Sequence, residues 1–406
     1  MYQNAAILAA VILVYSAVAG RVGQSWLSGP ILCTAAGLIL GPAGMGMLRL
    51  SLTAADLRVI AELALAMVLF TDAARADLGV ARRTVGLPER LLLLGLPFTI
   101  VLGYLFARVL FPESGPLEAA LIAALLAPTD AALGAPVVIN KAVPAATREA
   151  LNIESGLNDG ICVPVVIVLL DFAVGHDIER STLGHIVIVA TEEIGIGLLV
   201  GLGLTGIGAW FLRLANRVGW TATHWRQVPV IALAVLCFTA AQAAGGSGFI
   251  ACFTGGLLFG YLAPDDDVLA GAASTGEVLA LLTWVAFGGP VLARLLPQFT
   301  WRTVLYAVLS LTVIRMVPVF LSLIGSGLGT RDRLFIGWFG PRGLASIVFA
   351  IITFNAGLPG KETIAVTAAC TVLLSVVLHG LTANPLVRVL GMGGVTHSAT
   401  ASDRAT

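Results

Sequence analysis

The chain has 406 residues, of which 58% are hydrophobic and only 11% are charged. A soluble domain carries about 25% charged residues, so this composition excludes an ordinary soluble protein and indicates one that faces lipid. Lys and Arg balance Asp and Glu at 23 each, which leaves no bulk charge for binding nucleic acid. The five cysteines lie in apolar stretches, with neither metal-ligand spacing nor a disulfide framework.

Long apolar segments divide the chain. A membrane-spanning helix needs roughly 20 mostly apolar residues, and by that measure the chain is an all-α polytopic membrane protein with about 13 transmembrane helices. No Lys or Arg precedes Arg21, so the first segment lacks the basic start of a signal peptide and is predicted to be retained. The predicted spans cover about 4–20, 27–48, 56–75, 89–111, 117–139, 146–174, 184–213, 227–244, 246–263, 272–295, 301–325, 333–357 and 362–390.

The connections between the spans differ in basic charge. Positive residues accumulate in cytoplasmic connections, and the set that is richer in Lys and Arg includes Arg82, Arg83 and Arg90. This bias places the N-terminus outside and the C-terminus in the cytoplasm. Residues 392–406 are rich in Gly, Thr, Ser and Ala, and they are expected to form a short disordered cytoplasmic tail with no regulatory domain.

A faint internal repeat relates two proline-containing stretches. Ala-Pro-Thr-Asp at 127–130 in span five has a counterpart in Gly-Pro-Arg-Gly at 340–343 in span twelve. The repeat unit is six spans, and span seven is the linker that turns the second copy upside down. Proline among small residues inside a span frees backbone groups, which is tolerated only within protein or beside a wet cavity. The pattern predicts a transporter built from inverted six-helix repeats.

The most informative stretch is Asn-Ile-Glu-Ser-Gly-Leu-Asn-Asp-Gly at 152–160 in span six. Ionisable residues inside a membrane are costly and indicate function by default. Ser155 and Asp159 are four residues apart and share a helical face, and Glu154 and Asn158 form a second such pair. Their carboxylate and hydroxyl oxygens suit a hard monovalent cation. A helix cap at the membrane surface is the alternative role.

Span five adds Thr129 and Asp130, which follow Pro128 in an otherwise apolar run. Because proline donates no N–H to the preceding turn, carbonyl oxygens near Thr129 are expected to be free for coordination. The alternative is a kinked helix with a solvent-exposed Asp130.

Two arginines are predicted to balance these acids. Arg315 lies near the centre of span eleven, where a buried guanidinium needs a carboxylate, and Glu154 is the expected partner. Arg342 lies at the break in span twelve and is expected to satisfy freed carbonyls and offset helix ends. Both roles are structural, because either arginine would repel a transported cation.

Other polar residues rank lower as site candidates. The end of span three is expected to form an interfacial charge cluster of Asp72, Arg75 and Asp77. The histidines lie mostly at predicted span ends and are expected at the surface; they are His176, His185, His224, His379 and His397.

Four motifs in order resemble the monovalent cation/proton antiporters, in the NhaP/NHE-like branch that has Asn-Asp where the other branch has paired aspartates. They are Pro-Thr-Asp at 128–130, Glu-Ser-Gly-Leu-Asn-Asp-Gly at 154–160, Arg315 and Gly-Pro-Arg-Gly at 340–343. The resemblance covers nearly the whole chain and implies an NhaA/NhaP-like antiporter fold with two crossed, unwound helices.

The resemblance also implies a homodimer and a division of labour among the spans. Spans 1–3 and 8–10 (about 1–80 and 227–296) form a dimerisation domain, spans 4–6 and 11–13 (about 88–175 and 301–391) form an ion-translocating core, and span seven (about 184–213) links them. The ion ligands implied are Asp159, Asp130, Ser155 and the backbone of Thr129, supported by Glu154 and Asn158.

The expected function is secondary active exchange of Na+ or Li+ for H+, with cation and proton competing for Asp159. Only one member of the Asn-Asp pair titrates, so one-to-one electroneutral exchange is expected, with Asp130 ionised throughout. K+ in place of Na+ is the alternative, because ligand identity does not set cavity size. A cation channel and a Na+-coupled symporter are less favoured.

The sequence contains no His/Cys metal set, nucleophile elbow or phosphate loop, so no enzymatic activity, cofactor or metal beyond the transported cation is expected. The expected partners are Na+ or Li+, protons, membrane lipid and a second copy of the chain. The expected location is the plasma membrane of a bacterium or archaeon.

Overall fold

All regular structure in the described part of the chain is helical. The computed structural model describes residues 2–22, 27–48, 54–75, 86–130, 133, 137, 143–174, 183–222, 225–263 and 266–402.

Fourteen helices follow one another along these described residues. They are α1 (Tyr2–Val22), α2 (Gly29–Leu40), α3 (Ala54–Arg75), α4 (Leu87–Leu110), α5 (Pro116–Leu125), α6 (Ala145–Val174), α7 (Leu183–Val218), α8 (Val228–Ala243), α9 (Gly248–Leu262), α10 (Asp267–Gln298), α11 (Trp301–Ser322), α12 (Thr330–Trp338), α13 (Leu344–Asn355) and α14 (Lys361–Ser402). Each predicted span overlaps one of these helices, except that span twelve overlaps both α12 and α13. The all-α polytopic prediction is confirmed.

Length and composition make seven of the described helices able to cross a membrane: α1, α4, α6, α7, α10, α11 and α14. Five apolar helices are shorter: α2, α5, α8, α9 and α13. Two of the short helices owe their length to proline. α5 ends at Leu125, three residues before Pro128, and Pro341 lies in the non-helical segment between α12 and α13. Proline removes a backbone donor and clashes with the preceding turn, so each span divides there.

Close packing joins α3 to α9 through glycine. Phe70 of α3 is fully buried and its ring centroid lies 5.9 Å from that of Phe259 in α9. A Cβ on Gly256 or Gly260 would overlap the backbone carbonyls of Phe70 and Ala74. Small residues allow this close approach of helix backbones in membranes. α3 also contacts α6, α10 and α13, so it lies beside the 152–160 segment and beside the helix that begins after Pro341.

The last helix is continuous where a tail is expected. α14 runs from Lys361 to Ser402, and residues 392–402 are therefore helical, in contrast to the expected disordered tail from residue 392. No proline follows Pro385, so no residue in this stretch removes a backbone donor.

Candidate ion-binding site

Two non-helical segments interrupt the helices: residues 126–130 after α5 (the first break) and residues 339–343 between α12 and α13 (the second break). They contact each other at Asp130. The backbone N–H of Asp130 donates to the Pro341 carbonyl at 2.8 Å. The N–H of Leu344, in the first turn of α13, donates to the Asp130 carboxylate at 3.0 Å, and the Leu133 N–H donates to its other oxygen at 3.4 Å. A Cβ on Gly343 would overlap this carboxylate. Asp130 therefore sits at the N-terminus of α13, where the helix dipole stabilises negative charge.

Arg342, which lies in the second break, binds backbone carbonyls of the first break. Its side chain is fully buried, and Nη1 donates to the carbonyls of Ala127 and Pro128 at 2.6 and 3.2 Å. Nη2 donates to the Ser310 carbonyl of α11 at 3.4 Å. Arg342 therefore takes up carbonyl groups that the end of α5 leaves without helical partners.

Residues of α6 bind the same break at Thr129. Ser155 Oγ donates to the Thr129 carbonyl at 2.7 Å, and Asn158 Nδ2 donates to Thr129 Oγ1 at 2.6 Å. The Thr129 N–H donates back to Asn158 Oδ1 at 3.3 Å. Ser155 and Asn158 are three residues apart, so both can reach one residue from a single helical face.

These contacts correct one prediction about the carbonyl groups. The carbonyls of Ala127, Pro128 and Thr129 are not without partners as expected, because each already accepts a hydrogen bond from Arg342 or Ser155. A fully buried guanidinium must satisfy its donors, and the break provides the nearest acceptors. A carbonyl oxygen has two lone pairs, so the Thr129 oxygen keeps the capacity to accept one more partner.

Asp159 differs from its neighbours because one of its oxygens has no partner. Oδ1 is buried and makes no hydrogen bond among the described residues. The charged groups that act electrostatically on Asp159 are both acids, Asp130 and Asp72. The structure thus brings together three carboxylates, one each from α6, the first break and α3.

Asp72 is a residue whose position the sequence did not indicate. Its Cβ lies 3.6 Å from the place that a Cβ on Gly156 would occupy, so α3 packs directly against the 152–160 segment of α6. Asp72 interacts electrostatically with Arg75, as the predicted charge cluster requires, and it also acts on Asp159, which was not predicted. Asp77 lies outside the described residues. An acid inside the last turn of an apolar helix is the signal that could have marked Asp72.

Glu154 and Arg315 form a buried bidentate ion pair. Nη1 and Nη2 of Arg315 donate to the two oxygens of Glu154 at 2.6 and 2.7 Å, and the side chains are 0% and 1% exposed. This is the contact that the sequence predicts. A Cβ on Gly340 would overlap the Arg315 guanidinium, so the pair also abuts the second break. It ties α6 and α11 to residues 339–343.

His379 contradicts the expectation of surface histidines. Its side chain is 1% exposed within α14, and both ring nitrogens lie within hydrogen-bond distance of protein atoms. His176 and His224 lie outside the described residues. His379 does not lie at the end of a predicted span. Its position inside the apolar segment 362–390 is the feature of the sequence that indicates burial.

The fold and the site define the class of protein. It is a polytopic integral membrane protein in which two broken helices contact each other beside a buried arginine and three carboxylates. The family model for the sodium/hydrogen exchanger, transmembrane, matches residues 7–389, and the chain belongs to this family.

Known relatives and a solved structure resemble the chain over most of its length. It is 27% identical over 392 residues to the K(+)/H(+) antiporter NhaP2 of Shewanella sp. (strain ANA-3), a match that covers 95% of this chain and 66% of that relative. It is 26% identical over 400 residues to the K(+)/H(+) antiporter NhaP of Alkalimonas amylolytica, covering 95% and 67%. The chain thus spans 66% of the length of the Shewanella relative.

The structure of the sodium proton antiporter MjNhaP1 from Methanocaldococcus jannaschii at pH 8 superposes with a TM-score of 0.76 at 21% identity, over 96% of this chain and 99% of that one. This likeness confirms the expected antiporter fold.

Proposed function

We propose that the chain exchanges a monovalent cation for protons across the membrane, and that both compete for Asp159. The observation that carries this proposal is the buried Asp159 Oδ1, which has no hydrogen-bond partner among the described residues. Glu154, by contrast, is neutralised by Arg315. A carboxylate that has a buried oxygen and no resident counter-charge needs a proton or a cation, because burial of an isolated charge is costly.

Competition for one carboxylate produces coupling. A proton converts Asp159 to a neutral acid, and a bound cation forms a neutral pair with it, so the two ligands exclude each other. The empty site leaves uncompensated negative charge beside Asp130 and Asp72. Movement of the empty site across the membrane is therefore disfavoured relative to movement of either loaded form. The result is exchange rather than one-way transport.

The ligands come from three parts of the chain. Asp159 and Ser155 supply oxygens from α6, Asp130 and the Thr129 carbonyl supply oxygens from the first break, and Asp72 adds charge from α3. Asn158 and Glu154 act as support, since Asn158 holds Thr129 and Glu154 holds Arg315. Arg342 is a structural partner of the first break.

The dimerisation domain in this proposal consists of α1–α3 and α8–α10, the translocating core consists of α4–α6 and α11–α14, and α7 is the linker. The packing of α3 with α9 and α10, and of α14 with α11 and α13, supports the division. In this proposal the protein is a homodimer, with its N-terminus outside and its C-terminus in the cytoplasm. It exchanges one Na+ or Li+ for one H+, and its role is pH homeostasis.

K+ is the second candidate for the transported cation. The observation in its favour is that the two relatives described above, from Shewanella and Alkalimonas amylolytica, are named K(+)/H(+) antiporters. The fold neighbour is named a sodium proton antiporter. The ligand oxygens are the same for either ion, so only transport can decide between them.

The test is cation-dependent proton movement in proteoliposomes that contain a trapped pH-sensitive dye. Addition of Na+ or Li+ to acid-loaded vesicles is expected to give a saturable rise in internal pH, and K+ a smaller one. The half-saturating cation concentration is expected to rise as the pH falls, because protons compete for Asp159. A folded wild-type protein that moves no protons with any of the three cations would contradict the proposal.

Stoichiometry needs a separate measurement. Proteoliposomes with equal Na+, K+ and H+ concentrations on both sides are given a membrane potential by a gradient of the permeant anion thiocyanate. Electroneutral exchange predicts no proton movement above that of protein-free vesicles. Potential-driven movement that depends on the protein would exclude one-to-one exchange.

A further inference from the structure

A buried histidine connects the second helix break to α14. His379 Nε2 lies 2.9 Å from the carbonyl of Trp338, the last residue of α12. His379 Nδ1 lies 3.2 Å from Ser375 Oγ, which in turn accepts the backbone N–H of Arg342 at 2.7 Å. Ser375 and His379 are both buried. The two side chains therefore hold both ends of the segment 338–342.

Each ring nitrogen of His379 has a carbonyl oxygen in reach, because Nε2 lies 2.9 Å from the Trp338 carbonyl and Nδ1 lies 3.0 Å from the Ser375 carbonyl. A proton on Nε2 is donated to Trp338, and Nδ1 then accepts the hydroxyl hydrogen of Ser375, whose oxygen accepts the Arg342 N–H. The result is a connected set of hydrogen-bond contacts from Arg342 through Ser375 and His379 to Trp338. We call it the Ser375–His379 relay.

A second contact fixes the orientation of the ring. The Trp338 and His379 rings lie 5.3 Å apart, and Trp338 Nε1 donates to Thr382 Oγ1 of α14 at 2.9 Å. The end of α12 is thus bound to α14 by a side chain as well as by the relay. The imidazole has little freedom to turn away from the Trp338 carbonyl.

The segment held by the relay is the one that positions Asp130. The Pro341 carbonyl accepts the Asp130 N–H, and the Leu344 N–H binds the Asp130 carboxylate. A shift of residues 338–342 would therefore displace the Asp130 carboxylate relative to Asp159. Small displacements of charged ligands are costly because a site binds well only in a held geometry.

From this connection we infer that His379 is a positioning residue for the cation site, acting through Ser375 and the 338–342 segment on Asp130. The inference rests on the proposed function, since the quantity that His379 controls is cation affinity. It assigns His379 no contact with the ion. The residue sets where one ligand stands and leaves the exchange step to Asp159.

The test compares variants of the relay with a neighbour on the same helix. His379→Leu removes both ring contacts, His379→Gln keeps a donor toward Trp338, and Ser375→Ala removes the acceptor for Arg342. Thr371→Ala is the matched control, because the buried Thr371 hydroxyl donates only to the Thr367 carbonyl one turn earlier at 2.8 Å. Each protein is reconstituted for Na+-dependent proton movement and heated in detergent with and without Na+.

His379→Leu is expected to raise the half-saturating Na+ concentration about ten-fold, the size expected for loss of one buried hydrogen bond, with a maximal rate within about two-fold of wild type. His379→Gln should recover part of the affinity. Ser375→Ala should raise the same concentration, and the double variant His379→Leu/Ser375→Ala should be no worse than the stronger single variant, because both act through one relay. Thr371→Ala should match wild type.

Three results would overturn the inference: an unchanged half-saturating concentration in His379→Leu, an equal rise in Thr371→Ala, or a purely additive double variant. If His379→Leu does not fold, Ser375→Ala and His379→Gln carry the same comparison. Stabilisation by Na+ in detergent reports cation affinity without transport. A wild-type protein that is stabilised by Na+ but moves no protons would contradict the proposed function and still test the relay.

Discussion

Two carboxylates on α6, those of Glu154 and Asp159, differ in their partners. Glu154 is 1% exposed and both of its oxygens accept hydrogen bonds from Arg315. Asp159, five residues further along, has a buried oxygen without a partner. A separation of five residues turns the two side chains about 140° apart around the helix. One helix therefore carries an acid with a resident counter-charge and an acid that awaits a mobile one.

The surroundings of the two acids explain the difference. Glu154 meets the guanidinium of α11, whereas Asp159 meets Asp130 and Asp72, whose charges have the same sign as its own. A resident cation would make Asp159 structural and end its capacity to exchange ligands. Exchange requires a site whose carboxylates repel one another when the site is empty. Either a cation or a proton must be able to relieve this repulsion.

The largest expected effect comes from removing the acid without a partner. Asp159→Asn keeps the size of the side chain but cannot hold a cation or release a proton, so Na+-dependent proton movement in proteoliposomes should fall to the level of protein-free vesicles. Glu149→Gln, which changes an exposed acid of the same helix, is the matched control and should retain exchange. Exchange at the wild-type rate in a folded Asp159→Asn protein would falsify the comparison.

Breaking the other acid should cost stability. Glu154→Gln leaves the buried Arg315 charge uncompensated, and loss of one partner of a buried pair destabilises a protein by about 3–5 kcal/mol. The thermal midpoint in detergent should fall steeply. The double replacement Glu154→Leu/Arg315→Met should recover most of the loss, because it removes both charges. A single variant as stable as wild type would show that Glu154 is not the structural acid of the pair.

Asp72 offers a sharper test of how charge is shared around Asp159. Asp72→Asn removes one of the two like charges that act on Asp159, so attraction for a cation should weaken. We expect the half-saturating Na+ concentration to rise about ten-fold, as a change of 1–2 kcal/mol in charge interaction implies. Asp56→Asn, in the first turn of the same helix, should leave it unchanged. Equal affinities in both variants would remove Asp72 from the site.

The sequence indicated the breaks and the ion pair for local reasons. Pro128 and Pro341 cannot continue a helix, and their positions are readable without tertiary structure. Arg315 in an apolar run demands an acid, and few acids are available inside the spans. Such inferences need only residue type and burial.

The remaining site contacts depend on how distant helices pack. Asp72 reaches Asp159 because α3 lies against Gly156, and His379 reaches Trp338 because α14 lies against the end of α12. Nothing within either helix encodes its neighbour. The occupied carbonyls of Ala127 and Pro128 likewise follow from the approach of Arg342, which lies more than 200 residues away in the chain.

The smallest expected effect comes from an ion pair in water. Glu113 lies in the turn between α4 and α5, and Arg302 Nη1 donates to its oxygens at 2.9 and 3.1 Å. This hydrogen bond holds the pKa of the exposed Glu113 carboxyl below its usual range. A lowered pKa in the folded protein stabilises it at neutral pH, and the stabilisation disappears as the pH falls through that pKa.

Glu113→Gln should therefore lower the thermal midpoint slightly at pH 7, and the two proteins should converge below about pH 4, where the carboxyl takes up its proton. Sodium-dependent proton movement should be unaffected, because Glu113 lies apart from the carboxylates of the breaks. Measurement of the midpoint in detergent at both pH values checks the sign. Two results would contradict this prediction: a difference in thermal midpoint that grows on acidification, or a difference as large as that of Glu154→Gln. Either result would show that burial does not explain why the Glu154–Arg315 pair contributes more to stability than the Glu113–Arg302 pair.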